Sequence, residues 1–75
     1  MTRLSSVSGR EATKRFALLG YRIVRQRGSH MRLLHPSNGS RKPLTIPDHR
    51  ELGKGLLRKL LRDAGITVEE FRRLG

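Results

Sequence analysis

Tyr21-Arg22-Ile23-Val24-Arg25-Gln26-Arg27-Gly28-Ser29-His30-Met31-Arg32-Leu33-Leu34-His35 is the stretch that settles the architecture. Residues 21–27 are rich in β-formers, and Gly28-Ser29 is a two-residue turn signal. His30–His35 then reads as the return strand of a hairpin. Side chains alternate across a strand, so Met31 and Leu33 share one face while His30 and Arg32 share the other. The first strand alternates imperfectly, because Ile23 and Val24 are adjacent, and the pattern does not say which faces the core.

The letters Gly28-Ser29-His30-Met31 match the scar of a cleaved expression tag, but a scar belongs at a chain start. Here no polyhistidine run precedes them. What precedes them is a helix and a strand that the rest of the chain needs. His30 is therefore native, at a turn–strand junction.

Upstream, Ser8-Gly9-Arg10-Glu11 is a capping box, with Val7 and Ala12 placed as a hydrophobic staple. Ala12, Phe16 and Leu19 recur at helical spacing and Gly20 supplies a stop, which predicts a helix over about 8–19. Downstream, Pro36–Ser40 is a dense turn signal. Leu44-Thr45-Ile46, between Pro43 and Pro47, reads as a short edge strand. A loop over 48–53 leads to a second helix, whose apolar stripe is Leu56, Leu57, Leu60, Leu61 and Ala64 and whose terminator is Gly65. Thr67-Val68-Glu69-Glu70 is a second capping box, opening a short helix with Phe71 and Leu74. The order is α-β-β-β-α with a short C-terminal helix. That is a two-layer α+β fold, with helices on one face of an antiparallel sheet and the other face open. Residues 1–75 read as a single domain with a small core.

Charge points to the partner. Seventeen Lys+Arg against six Asp+Glu give +11. Residues 1–50 hold eleven basic and two acidic side chains, and residues 51–75 hold six and four. Such imbalance favours a polyanion, usually nucleic acid, although an acidic protein also qualifies. Arginine outnumbers lysine thirteen to four, and its planar fork suits phosphate. The chain has no cysteine, no apolar run of membrane-spanning length, and no apolar signal-peptide core in its first residues. A cytoplasmic protein is expected.

Taken together, Ser8-Gly9-Arg10-Glu11, Leu19-Gly20-Tyr21, Arg25-Gln26-Arg27-Gly28-Ser29-His30-Met31-Arg32, Thr45-Ile46-Pro47-Asp48-His49 and Leu57–Thr67 resemble the HicA toxin family of bacterial and archaeal toxin–antitoxin pairs. The resemblance runs from about Ser6 to Phe71, and Gly28-Ser29-His30 is its most diagnostic step. It implies a fold like the double-stranded-RNA-binding domain and activity as an mRNA interferase. It also implies His30 as the catalytic histidine and inhibition by an acidic HicB-like antitoxin. DNA binding by the toxin alone is not expected.

The chemistry is coherent with those residues. RNA carries its own nucleophile, the 2′-hydroxyl, so the enzyme needs only to move protons and stabilise the phosphorane. An imidazole, with a reference pKa of about 6.5, can do the first. Arg27, Arg32 and Lys42 are phosphate candidates. Gly28 lets the backbone pass close to a nucleotide, and Ser29 can donate to a phosphate oxygen. The expected products are a 2′,3′-cyclic phosphate and a 5′-hydroxyl, with no metal and no cofactor. His49 has two readings: the second proton-transfer residue, or a hydrogen-bonding residue within the 47–53 loop. His35, before Pro36, reads as ordinary turn chemistry.

Other classes fit less well. His30, His35, Asp48 and His49 suffice on paper as metal ligands, but no HExxH motif or carboxylate cluster supports a metal site. Gly53-Lys54-Gly55 lacks the Walker pattern. Of three aromatics, two look like core, which weakens base stacking on rings. A non-catalytic module gripping duplex RNA is the alternative to a nuclease. A protein that only docks an acidic partner is a third class.

Overall fold

A computed structural model describes residues 6–75. The part of the N-terminal reading that falls on residues 1–5 lies outside them. The elements run α1 (Gly9–Leu18), β1 (Arg22–Arg27), β2 (His30–Leu34), β3 (Leu44–Pro47), α2 (Lys54–Ala64) and α3 (Val68–Arg73). The strands form one antiparallel sheet in the order β1-β2-β3, so the expected α+β order holds.

The two expected capping boxes differ. At α3 both halves form: the Glu70 amide donates to Thr67 Oγ1 at 3.1 Å, and the Thr67 amide donates to Glu70 Oε1 at 3.0 Å. At α1 only one half forms, the Glu11 amide donating to Ser8 Oγ at 3.0 Å. The Glu11 carboxylate instead accepts from Arg15 Nε at 2.9 Å. A cation one turn along offers a charge-assisted bond that outcompetes a backbone amide. Helix α2 ends as its composition predicts. Gly65 takes a left-handed conformation, φ 76° and ψ 33°, and the Ile66 amide reaches back to the Leu61 carbonyl.

One sheet face is covered. Met31, Leu33, Leu44 and Ile46 are buried against Ala12 and Phe16 of α1, Leu57, Leu60, Leu61 and Ala64 of α2, and Phe71 of α3. All three aromatics lie in this core, Tyr21 included, one more than the two expected from the sequence. Phe16 stands edge-on to Tyr21 with centroids 5.8 Å apart, and is tilted against Phe71 at 5.4 Å. The Tyr21 hydroxyl donates to the Lys42 carbonyl at 2.7 Å. Burial pushes its pKa above the ordinary phenol value, opposed by the nearby Arg41 charge.

Three ties hold the periphery. Arg41 Nη1 donates to the Ala64 carbonyl at 2.6 Å, and the Lys42 amide donates to the Asp63 carbonyl at 2.8 Å. Both satisfy carbonyls at the C-terminal end of α2, where a cation is favoured. His35 does more than turn chemistry. Its Nε2–H donates to the Leu19 carbonyl at 3.0 Å, and its ring stands edge-on to Tyr21. Gly20 has φ 115°, and a Cβ there would come within 2.5 Å of His35 Nε2. The helix–strand turn therefore requires glycine twice over.

Candidate active site

Strand β2 alternates as its sequence predicts: Met31 and Leu33 are buried, while His30, Arg32 and Leu34 are exposed on the opposite, uncovered face. Strand β3 follows the same rule, with Leu44 and Ile46 buried and Thr45 exposed. Register then chooses the neighbours. His30 lies opposite Arg27 on one side and Pro47 on the other; Arg32 lies between Arg25 and Thr45. Arg32 Nη1 donates to Thr45 Oγ1 at 3.0 Å, which orients the guanidinium along the sheet.

Strand β1 explains the imperfect alternation. Its pairing with β2 is irregular between Ile23 and Arg25, so Val24 is an extra, bulged residue. An uninterrupted strand would send Ile23, Arg25 and Arg27 to one face. The bulge shifts the phase by one residue. Ile23 and Gln26 stay opposite Leu33 and Met31, while Arg25 and Arg27 come round opposite Arg32 and His30. The choice between Ile23 and Val24 as core residue has the answer neither: they are 52% and 54% exposed, on an edge strand that buries no side chain.

These residues surround a shallow concavity of about 580 Å³ on the open face. Val24, Arg25, Arg27, His30, Arg32, Leu34 and Thr45 line it, and none of these side chains is acidic. Three guanidinium groups around one exposed imidazole form a site that can hold a phosphate and move a proton.

The turn that delivers His30 is anchored. Gly28 has φ 54° and Ser29 has no positive φ, the arrangement a glycine-first hairpin turn needs. The Ser29 carbonyl accepts from the Asp48 amide, tying the turn to the end of β3. Asp48 is in turn gripped by Arg10 through Nε at 3.1 Å and Nη2 at 3.1 Å. Gly9 donates to the His49 carbonyl at 2.8 Å, and a Cβ on Gly9 would strike the Pro47 carbonyl oxygen. The start of α1 is thereby pressed against the strand end that faces His30.

Of the residues expected at the site, Arg27, His30 and Arg32 converge on the concavity. Gly28 and Ser29 border it in the turn. Lys42 and His49 are exposed but do not line it. Lys42 precedes β3 at the opposite end of the strand from Pro47, where its charge acts on Asp63. His49 is engaged through its backbone. Arg25 and Thr45 were missed by pattern reading: Arg25 because the bulge hid its face, Thr45 because it carries no charge. Among the described residues no group of three or more His, Asp or Glu side chains is placed to hold a metal ion. Nor is any helix among them long and apolar enough to cross a membrane.

Residues 9–66 match the family model described as the HicA toxin of bacterial toxin–antitoxin systems. No curated protein matches the chain. The matched span runs from the first residue of α1 to just beyond α2 and contains the entire concavity. The chain belongs to the HicA toxin family, and its general role is that of the toxin in a toxin–antitoxin pair.

Proposed function

We propose that this toxin is an mRNA interferase, an endoribonuclease whose reacting group is His30. The observation that carries the reading is the exposed imidazole set in register against Arg27, on a face shared with Arg25 and Arg32 and lined by no carboxylate. A phosphodiester drawn to the three guanidinium groups lies beside the ring. His30 accepts the proton of the adjacent 2′-hydroxyl, and the 2′-oxygen attacks phosphorus. The arginines stabilise the charge that builds on the phosphorane oxygens. The P–O5′ bond breaks, its electron pair stays on the 5′-oxygen, that oxygen takes a proton from solvent water admitted by the open concavity, and the hydroxide left takes up the proton held by His30, restoring the neutral imidazole. The products are a 2′,3′-cyclic phosphate and a 5′-hydroxyl. No cofactor takes part in these steps.

The partner follows from the same surface. An acidic HicB-like antitoxin would neutralise the arginine cluster and bury His30, blocking access to RNA. His49 stands outside the concavity; its exchange for alanine tests whether it supplies the second proton.

The decisive experiment incubates a defined RNA with wild type and His30→Ala and identifies the ends. Cyclic phosphate and 5′-hydroxyl ends from wild type alone support the mechanism. Intact RNA at catalytic wild-type concentrations, with tight binding retained, would replace it with a double-stranded-RNA-binding module.

A further inference from the structure

Val24 and Leu34 are large aliphatic side chains left outside the core of a strongly basic chain, 54% and 38% exposed. Val24 is the bulged residue of β1, and Leu34 ends β2. Both line the His30 concavity, and both also line an adjoining concavity of about 370 Å³. The second hollow adds Ile23, Pro36 and Pro43, together with the cations Arg22 and Arg41. Apolar surface is thus flanked by arginines on both sides, Arg25 and Arg27 towards His30 and Arg22 and Arg41 beyond. The bulge is what sets Val24 beside Arg25.

We propose that this adjoining hollow is a nucleobase subsite. The base next to the cleaved linkage lies flat on Val24, Leu34 and the proline rings, while Arg22 meets the following phosphate. A single-stranded RNA presents phosphates alternating with flat, weakly hydrated base faces, so its complement is cations alternating with apolar plates. Aromatic rings usually supply such plates, but all three aromatic residues of this chain are in the core. Val24 and Leu34 are exposed aliphatic side chains that line both this hollow and the His30 concavity, so they can take that place. The shared wall also makes any occupant of the hollow a neighbour of the group at His30. The inference rests on the RNA-cleavage reading for the identity of that ligand.

The test uses an oligonucleotide of 2′-O-methyl nucleotides, which cannot be cleaved, with one 2-aminopurine as the fluorescent base. It is titrated against wild type, His30→Ala, Val24→Ser and Leu34→Ser, with Val24→Ala and Leu34→Ala as milder variants and thermal unfolding as the fold check. Wild type should change the probe fluorescence, and His30→Ala should show the same dependence on the presence of the base. The Val24 and Leu34 variants should bind about tenfold more weakly with a smaller fluorescence change. Replacing the base by an abasic residue should remove the difference between these variants and wild type. Equal losses with base-bearing and abasic oligonucleotide would overturn the subsite. So would variants that lose affinity only for an antitoxin protein. Wild type that binds the probe as predicted but leaves cleavable RNA whole would overturn the nuclease reading and keep the subsite.

Discussion

The two faces of the sheet use the same strands for opposite purposes. On one face Met31, Leu33, Leu44 and Ile46 disappear under three helices; on the other His30, Arg32, Leu34 and Thr45 meet water. Neighbours one position apart in β2 therefore differ in what they do for the protein. Stability and chemistry are interleaved residue by residue, and they stay separate only while the register holds. Strand β1 shows how fragile that separation is: one extra residue at Val24 decides whether two arginines point at the helices or at the open face that carries His30.

The largest expected effects test this division directly. His30→Ala should reduce RNA cleavage by about 10²–10⁴-fold while leaving the thermal unfolding midpoint unchanged. Leu33→Ala, three residues away and completely buried, should do the reverse. It should cost about 2–5 kcal/mol in denaturant unfolding, with the remaining folded fraction still competent to cleave. If His30→Ala unfolds the chain, the open face is not a purely functional surface.

A smaller effect is expected at the turn that joins α1 to β1. Gly20→Ala places a side chain at φ 115° against the His35 ring. It should cost about 1–3 kcal/mol, measurable in urea. Unchanged stability would mean that the turn and His35 move together at little cost.

Arg32→Ala sharpens the electrostatic half of the comparison. It should flatten the log–log salt dependence of RNA affinity by about 0.7–1, with stability nearly unchanged because its bond to Thr45 is exposed. An unaltered slope would remove Arg32 from the phosphate contacts.

The smallest effect concerns pH and lies away from both faces. The hydrogen bond from Lys59 Nζ to Asp63 Oδ2, 2.9 Å, holds the Asp63 carboxyl below its ordinary pKa, helped by the charges of Lys59, Arg62 and Lys42 and opposed by burial. A depressed folded-state pKa stabilises the protein above the unfolded carboxyl value. That contribution fades as pH falls through the lower folded value. Asp63→Asn should flatten the acid limb of the stability profile slightly and leave neutral-pH cleavage untouched.

Much of this was readable from short-range chemistry. The caps at Ser8 and Thr67, the stop at Gly65, the hairpin turn at Gly28-Ser29 and the α-β-β-β-α order depend on residues within one turn of each other, where spacing is sufficient. The placement of His30 and Arg32 on one face follows from the period of a strand. Other features were hidden because they depend on competition or on distant partners. Glu11 had two possible partners, the Ser8 amide three residues back and Arg15 four residues on, and the arginine prevailed. His35 looked like a turn residue until the fold placed Leu19, Gly20 and Tyr21 against it.

Local sequence thus suffices for the elements, their order and the side of β2 that carries the imidazole, since each is decided by contacts a few residues long. The arginine ring around that imidazole is a property of pairing. Arg25 joins it only because Val24 bulges out when β1 meets β2, and Lys42 stays out because the chain is docked on the end of α2. The stretch 21–35 holds the three arginines and His30, but only strand register says which face each one takes, and only helix packing draws Lys42 away to Asp63; together they set the charge felt at the site.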